Sequence, residues 1–239
     1  MRDSWRHFAA EFIGTFALVF VGGASIMATQ MARIEQSLLI VAAAHGLILA
    51  IMVTATMRIS GHLNPAVTLG FLAARRIEPV MAVVYVIAQL LGAALAAYAL
   101  KAIFPAALAQ TTRLGGQSVS LDLSTGQAIF AEAIATFFLT FAVFGTAVDP
   151  KAPKVGGFAI GLVVTADILA IGPLTGASMN PARSFGPAVV SGVLEGQMIY
   201  WIGPIIGSVI AAVLYDQLFL RRGPEPVDHG AVRPRENAV

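Results

Sequence analysis

Six stretches of this 239-residue chain are apolar for long enough to cross a lipid bilayer: 8–29, 36–57, 80–100, 126–148, 155–171 and 198–220. A hydrocarbon core ~30 Å thick takes about 20 helical residues. With no water to pair with backbone polar groups there, a spanning segment must satisfy its own, which confines such stretches to helices. Hydrophobic residues make up 57% of the chain and charged ones 12%, against roughly 25% charged in a soluble domain. An ordinary soluble enzyme and a disordered chain are both excluded. The net charge of +2 is small and its basic residues are scattered, so nucleic acid is not an expected partner. The absence of cysteine removes disulfides, thiolate chemistry and cysteine metal sites together. The first apolar stretch is too long for a signal-peptide core and reads as a retained helix.

Two more apolar stretches, 66–74 and 182–191, are too short to cross. At ~1.5 Å per residue each reaches ~15 Å, half of the core, so both are expected to be re-entrant. The halves repeat. Ala10-Glu-Phe-Ile-Gly-Thr-Phe-Ala-Leu-Val-Phe20 matches Ala131-Glu-Ala-Ile-Ala-Thr-Phe-Phe-Leu-Thr-Phe141 at seven of eleven places, and Asn64-Pro65-Ala66 recurs as Asn180-Pro181-Ala182. Three spans per repeat is an odd number, so the second copy enters the membrane from the opposite side, as in inverted repeats with a site at the midplane. The expected class is an all-α membrane protein with six transmembrane helices and two re-entrant half-helices. Its divisions are an N-terminus at 1–7, a first repeat at 8–105, a connecting loop at 106–125, a second repeat at 126–220 and a disordered tail at 221–239. Placing both termini inside gives the cytoplasm eleven Lys/Arg (Arg2, Arg6, Arg58, Arg75, Arg76, Lys151, Lys154, Arg221, Arg222, Arg233, Arg235) and the other face four (Arg33, Lys101, Arg113, Arg183). That bias orients the termini to the cytoplasm.

Asn before Pro at the start of a short helix is an N-cap followed by a residue whose missing N–H would be unpaired anyway. Two such half-helices entering from opposite faces bring their N-termini together near the bilayer centre, each with about half a positive charge. Cations meet a barrier there. If each Asn oxygen caps its own helix, its amide NH₂ turns to the lumen as a fixed donor, and a water bound to both cannot keep a proton-conducting chain aligned. One Asn-Pro is most simply a cap and turn. Two, at matching places in a repeat, point to a pore.

These residues resemble the aquaporin, or major intrinsic protein, family. The resemblance covers the apolar body of the chain: both Asn-Pro-Ala boxes, the Ala-Glu-x-x-x-Thr-Phe start of each half, and Gly176-Ala-Ser-Met-Asn-Pro-Ala-Arg-Ser-Phe-Gly-Pro187. It implies a homotetramer of independently conducting pores that pass water while excluding ions and protons. It also implies an outer constriction, the aromatic/arginine filter, onto which Arg183, Ala177, Ile168 and His45 fall by their spacing from the boxes. That set departs from the water-specific pattern, which has Phe in place of His45 and His in place of Ile168, and is similar to that of plant tonoplast intrinsic proteins. Ile168 removes a ring donor and Ala177 leaves space beside Arg183. The mouth is therefore expected to be wider and less polar than a strict water filter, passing ammonia, hydrogen peroxide or urea, with glycerol less favoured. His45 is able to donate or accept and to respond to pH.

Two departures carry expectations of their own. Gly176 stands four places before Asn180, but Gly61 only three before Asn64, so the first loop counts as one residue short. It should be tightened or shift the second helix, with Ala44 the alternative to His45 by count. Asp167 stands where tonoplast-type members carry Asn. An acid in mid-bilayer costs ~2.5–3.5 kcal/mol on insertion scales, so it should sit beside a polar partner or close to the outer mouth.

Glu11 and Glu132 read as acceptors for the re-entrant loop backbone rather than as proton relays, His62 as a structural residue, and Gly92, Gly203 and Gly207 as helix-packing positions. Two rivals remain. A secondary transporter would use Glu11, Glu132 and Asp167 at a midplane site, and an intramembrane hydrolase would assemble His45, Asp167 and Ser178. No cofactor or metal is expected. Twelve Arg to three Lys and abundant Ala point to a bacterial inner membrane.

Overall fold

The computed structural model describes residues 4–153 and 155–220; the expected disordered tail at 221–239 lies outside them. Six helices are long and apolar enough to span: α1 (Ser4–Met31), α2 (Leu38–Thr56), α4 (Pro79–Ile103), α6 (Thr125–Val143), α7 (Phe158–Thr175) and α9 (Ile199–Tyr215). Two of them, α6 and α9, each end in one π-helical turn, Phe144–Val148 and Asp216–Leu220. The two short apolar stretches are α3 (Pro65–Ala73) and α8 (Pro181–Ser191). Between the halves lie a six-residue helix, α5 (Ala106–Thr111), and a tight turn at Arg113–Gly115. No strand occurs among the described residues.

The packing repeats with the sequence. Helix α1 packs along α4 as α6 packs along α9, α2 crosses α7, and each half-helix leans on the last span of the other half, α3 on α9 and α8 on α4. Small residues set these approaches. A Cβ on Gly92 would run into the Phe12 carbonyl of α1, and one on Gly207 into the Ala133 carbonyl of α6. Phe12 and Ala133 each follow the repeated glutamate, so the two crossings are copies of one contact. At the α2–α7 crossing, Gly46 and Gly161 face each other, and a side chain on either would strike the other's carbonyl. Outward, Leu47, Ile51, Leu91, Phe138, Leu162 and Ile210 are each more than half exposed. So continuous an apolar surface belongs against lipid.

Candidate functional site

Both half-helices start at an asparagine with extended backbone, φ −159° at Asn64 and −149° at Asn180. The Asn64 side-chain oxygen accepts from Ala66 N at 2.9 Å. That of Asn180 accepts from Ala182 N at 3.0 Å and Arg183 N at 3.3 Å. Pro65 and Pro181 fill the first helical positions. The amides are not both free, as the sequence suggested. Asn64 Nδ2 donates to the Met179 carbonyl and Asn180 Nδ2 to the Leu63 carbonyl, each at 2.8 Å. Each asparagine thus ties its half-helix to the other half's loop. One N–H per amide is left on the wall of a central cavity that Asn64 and Asn180 both line.

The carbonyls that receive these bonds belong to residues in the left-handed region, Leu63 at φ 50° and Met179 at φ 53°. Such a conformation in a non-glycine residue costs on the order of 1–3 kcal/mol and persists where surroundings over-determine it. Two glutamates hold it. Glu11 accepts from His62 N at 2.8 Å on one oxygen and Leu63 N at 2.7 Å on the other. Ser60 Oγ and Gln89 Nε2 add two more donors. Glu132 accepts from Ser178 N at 2.9 Å and Met179 N at 2.7 Å, with Thr175 Oγ1 at 2.7 Å. Both glutamates are fully buried.

His62 stands where Ser178 does and Leu63 where Met179 does; before them the two loops part, for Gly176 and Ala177 both have positive φ and neither Ser60 nor Gly61 does. Gly176 is a glycine because its φ is 79°, a value Ser60 does not adopt.

Arg183, His45, Ile168 and Ala177 line the same central cavity as the asparagines, and all are at least 95% buried. Ala44 is not on its wall. Arg183 Nε and Nη2 approach His45 Nε2 at 3.1 and 3.0 Å, Nη2 also donates to the Gly115 carbonyl at 2.8 Å, and His45 Nδ1 lies 2.8 Å from the Val41 carbonyl. A carbonyl only accepts and a guanidinium only donates. Nδ1 therefore carries the proton and Nε2 offers its lone pair, which makes His45 a neutral holder of Arg183. Arg183 Nη1 has no protein partner. The cavity holds about 30 Å³, room for a couple of waters, and is apolar on the side of Leu49, Val53, Ile160 and Val164.

A second, larger cavity of about 290 Å³ shares Arg183 with the central one and is lined also by Gly115, Gly116, Gln117 and Gly176 among others. Gln117, which the sequence reading passed over, is 9% exposed and neither atom of its amide has a protein partner. On the opposite side of the asparagines, His62 lines the central cavity with its ring 4.2 Å from Phe71 and edge-on to Tyr85. Asp167 is not on the cavity wall, and its Oδ2 is buried without a partner. The hydrolase trio is not assembled: both His45 nitrogens are occupied and Ser178 Oγ donates to the Asn180 carbonyl at 2.8 Å. Neither Glu11 nor Glu132 lines the cavity.

Residues 1–215 match the family model described as major intrinsic protein. Aquaporin TIP4-4 of Zea mays is 44% identical over 229 residues, covering 91% of this chain and 88% of that one. Aquaporin TIP2-1 of Arabidopsis thaliana is 42% identical over 226 residues, with 91% and 88% covered. Among solved structures, the aquaglyceroporin from Plasmodium falciparum superposes with a TM-score of 0.79 at 24% identity, over 90% of this chain and 96% of that one.

Proposed function

The chain belongs to the major intrinsic protein family, and on that premise we propose that it is a passive membrane channel for water and small neutral solutes. The observation that carries the reading is the reciprocal tie of Asn64 and Asn180. It holds two helix N-termini and two amide N–H groups against one narrow cavity. Water accepts from those groups and passes; a cation meets the positive ends of two helices. Asn64, Pro65, Ala66, Asn180, Pro181 and Ala182 form the central barrier, and His45, Ile168, Ala177 and Arg183 the solute filter. Glu11 and Glu132 support the loops. Ammonia, hydrogen peroxide and urea fit a filter with Ile168 and Ala177 in place of larger polar groups, and Gln117 offers an unpaired donor and acceptor just outside it.

The working form is a homotetramer of such pores. In α2 and α7, 28% and 33% of the residues in the apolar window are buried within one chain, against 44% in each of the other four spans, so these faces have most to gain from a second copy. The termini are cytoplasmic, on the Lys/Arg asymmetry. A bacterial inner membrane is proposed on composition alone; the relatives named above are from plants.

Stopped-flow light scattering on proteoliposomes tests the function. Fast shrinkage in an impermeant osmolyte, with a low activation energy, is expected. Shrinkage no faster than in empty liposomes, with folded protein confirmed, refutes the channel. Saturable, gradient-coupled uptake would favour the transporter instead. In the same assay His45→Phe leaves Arg183 Nε without its acceptor and Nη2 with the Gly115 carbonyl alone, and narrows the filter. Urea and ammonia permeability should fall by about tenfold, a ~1.4 kcal/mol change, while water permeability persists. If neither solute responds, His45 does not shape the filter.

A further inference from the structure

On the face away from the start of α1 and the end of α9, the last turn of α4, helix α5 and the end of α8 border a groove of about 430 Å³. Its floor is apolar: Ala109, Leu114 and Val190 are each at least 92% buried. Lys101 and Gln110 stand at its rim, and no acidic residue lines it. Lys101 forms no ion pair among the described residues. Among the described residues nothing neutralises this cation.

The depth of the groove says what meets it. Helix α4 has 25 residues, ~37 Å at 1.5 Å each, and Lys101 is two residues from its end. One exposed stripe of α4 runs through Leu91, Leu95 and Tyr98 and leads to Lys101. The leucines belong against acyl chains, and Tyr98, 58% exposed, carries the polar tip that tyrosines place at the membrane–water boundary. Lys101 then sits at the level of lipid phosphates, above an apolar slot open to the same leaflet.

We propose that this groove is a phospholipid site with a preference for anionic headgroups. An acyl chain lies on the Ala109–Leu114–Val190 floor, the headgroup phosphate pairs with Lys101, and the Gln110 amide donates a second hydrogen bond. The lipid belongs to the leaflet facing away from the chain termini. A second copy of the chain is better matched to the less buried faces of α2 and α7.

Native mass spectrometry of the full chain, titrated with phosphatidylglycerol and with phosphatidylcholine of identical acyl chains, tests the site. The wild type should hold one phosphatidylglycerol per chain about fivefold more tightly than phosphatidylcholine, the worth of one lysine at a membrane surface. Lys101→Glu should abolish the preference. Ala106→Trp, which blocks the groove from its rim, should remove tight binding of both lipids, and Gln110→Trp serves if that variant does not fold. Both variants should shrink vesicles at the wild-type rate, because the groove lies apart from the central cavity. An unchanged headgroup preference in Lys101→Glu, or unchanged retention with the groove blocked, overturns the proposal. The chain has no cysteine, so Gln110→Cys introduces a single thiol. A disulfide between chains in liposomes would put a second copy in the groove and also overturn it.

Discussion

Replacing Glu132 with alanine should cost the protein its second re-entrant loop. The carboxylate accepts Ser178 N, Met179 N and Thr175 Oγ1, all three in buried residues. Each buried donor left without a partner costs about 1–3 kcal/mol, so three orphaned donors amount to at least ~3 kcal/mol. The left-handed Met179 would also lose the bond that fixes it, and its carbonyl would no longer be held towards Asn64. The effect should spread to the other half. A fall of roughly 10 °C in the thermal midpoint is expected in detergent, following the usual scaling for a chain of this size, together with loss of water permeability. Glu132→Gln should fall between, since its amide oxygen accepts but its NH₂ confronts a backbone N–H. Thr175→Val, which removes one of the three donors and orphans only the Ala177 N–H that Thr175 Oγ1 accepts at 3.1 Å, should be milder than Glu132→Ala. A proton-carrying role for Glu132 forecasts the reverse: unchanged melting with lost gradient coupling. Wild-type melting of Glu132→Ala would refute the loop-support reading.

Much of this architecture was legible in the sequence because the membrane limits the choices. A run of about 20 apolar residues must be a helix, and Asn-Pro before a short run must be a capped start. The repeated Ala-Glu-x-x-x-Thr-Phe puts a buried acid in each half that needs donors, and backbone N–H groups of the re-entrant loops supply them. Where the reading went astray, local conformation overrode composition. Helix α7 begins at Phe158, after the position expected from its apolar run, because Gly156 turns with φ 59° and Gly157 lies hard against the Ala50 carbonyl of α2. It continues through Pro173 to Thr175, since a proline in the last turns leaves enough of the hydrogen-bond ladder intact for Gly176 to close it in the left-handed conformation. The first loop also takes its own path before His62: Gly176 and Ala177 have positive φ, and neither Ser60 nor Gly61 does. Helix α5, at six residues, is too short for its periodicity to show. The left-handed Leu63 and Met179 had no signal at all: neither is a residue type that favours that conformation. They hold it because the glutamate of their own half and the asparagine of the other grip adjacent peptide groups. Gln117 was equally invisible, since only the folded loop brings it to the cavity that Arg183 also lines.

Exchanging Arg183 for valine should have the largest effect on selectivity. The guanidinium is the one fixed full charge on the central cavity wall, with Nε and Nη2 spent on His45 and Gly115 and Nη1 unpaired. At ~5 Å and an effective dielectric of ~20 such a charge repels a monovalent cation by about 3 kcal/mol, roughly two powers of ten in crossing rate. Arg183→Val removes that barrier and much of the side-chain volume. Urea and glycerol permeability should rise by about tenfold, and a measurable cation or proton leak should appear in vesicles loaded with a pH-sensitive dye. The leak should remain partial, because the Asn64 and Asn180 ends of the half-helices still oppose cations. Arg183→Lys separates charge from shape. An ammonium cannot donate in the fork that meets His45 and Gly115 together, so solute size selection should weaken while cation exclusion holds. If Arg183→Val leaves solute selectivity and proton tightness as in the wild type, discrimination resides wholly at the asparagine pair, and the outer ring of His45, Ile168, Ala177 and Arg183 is not the filter.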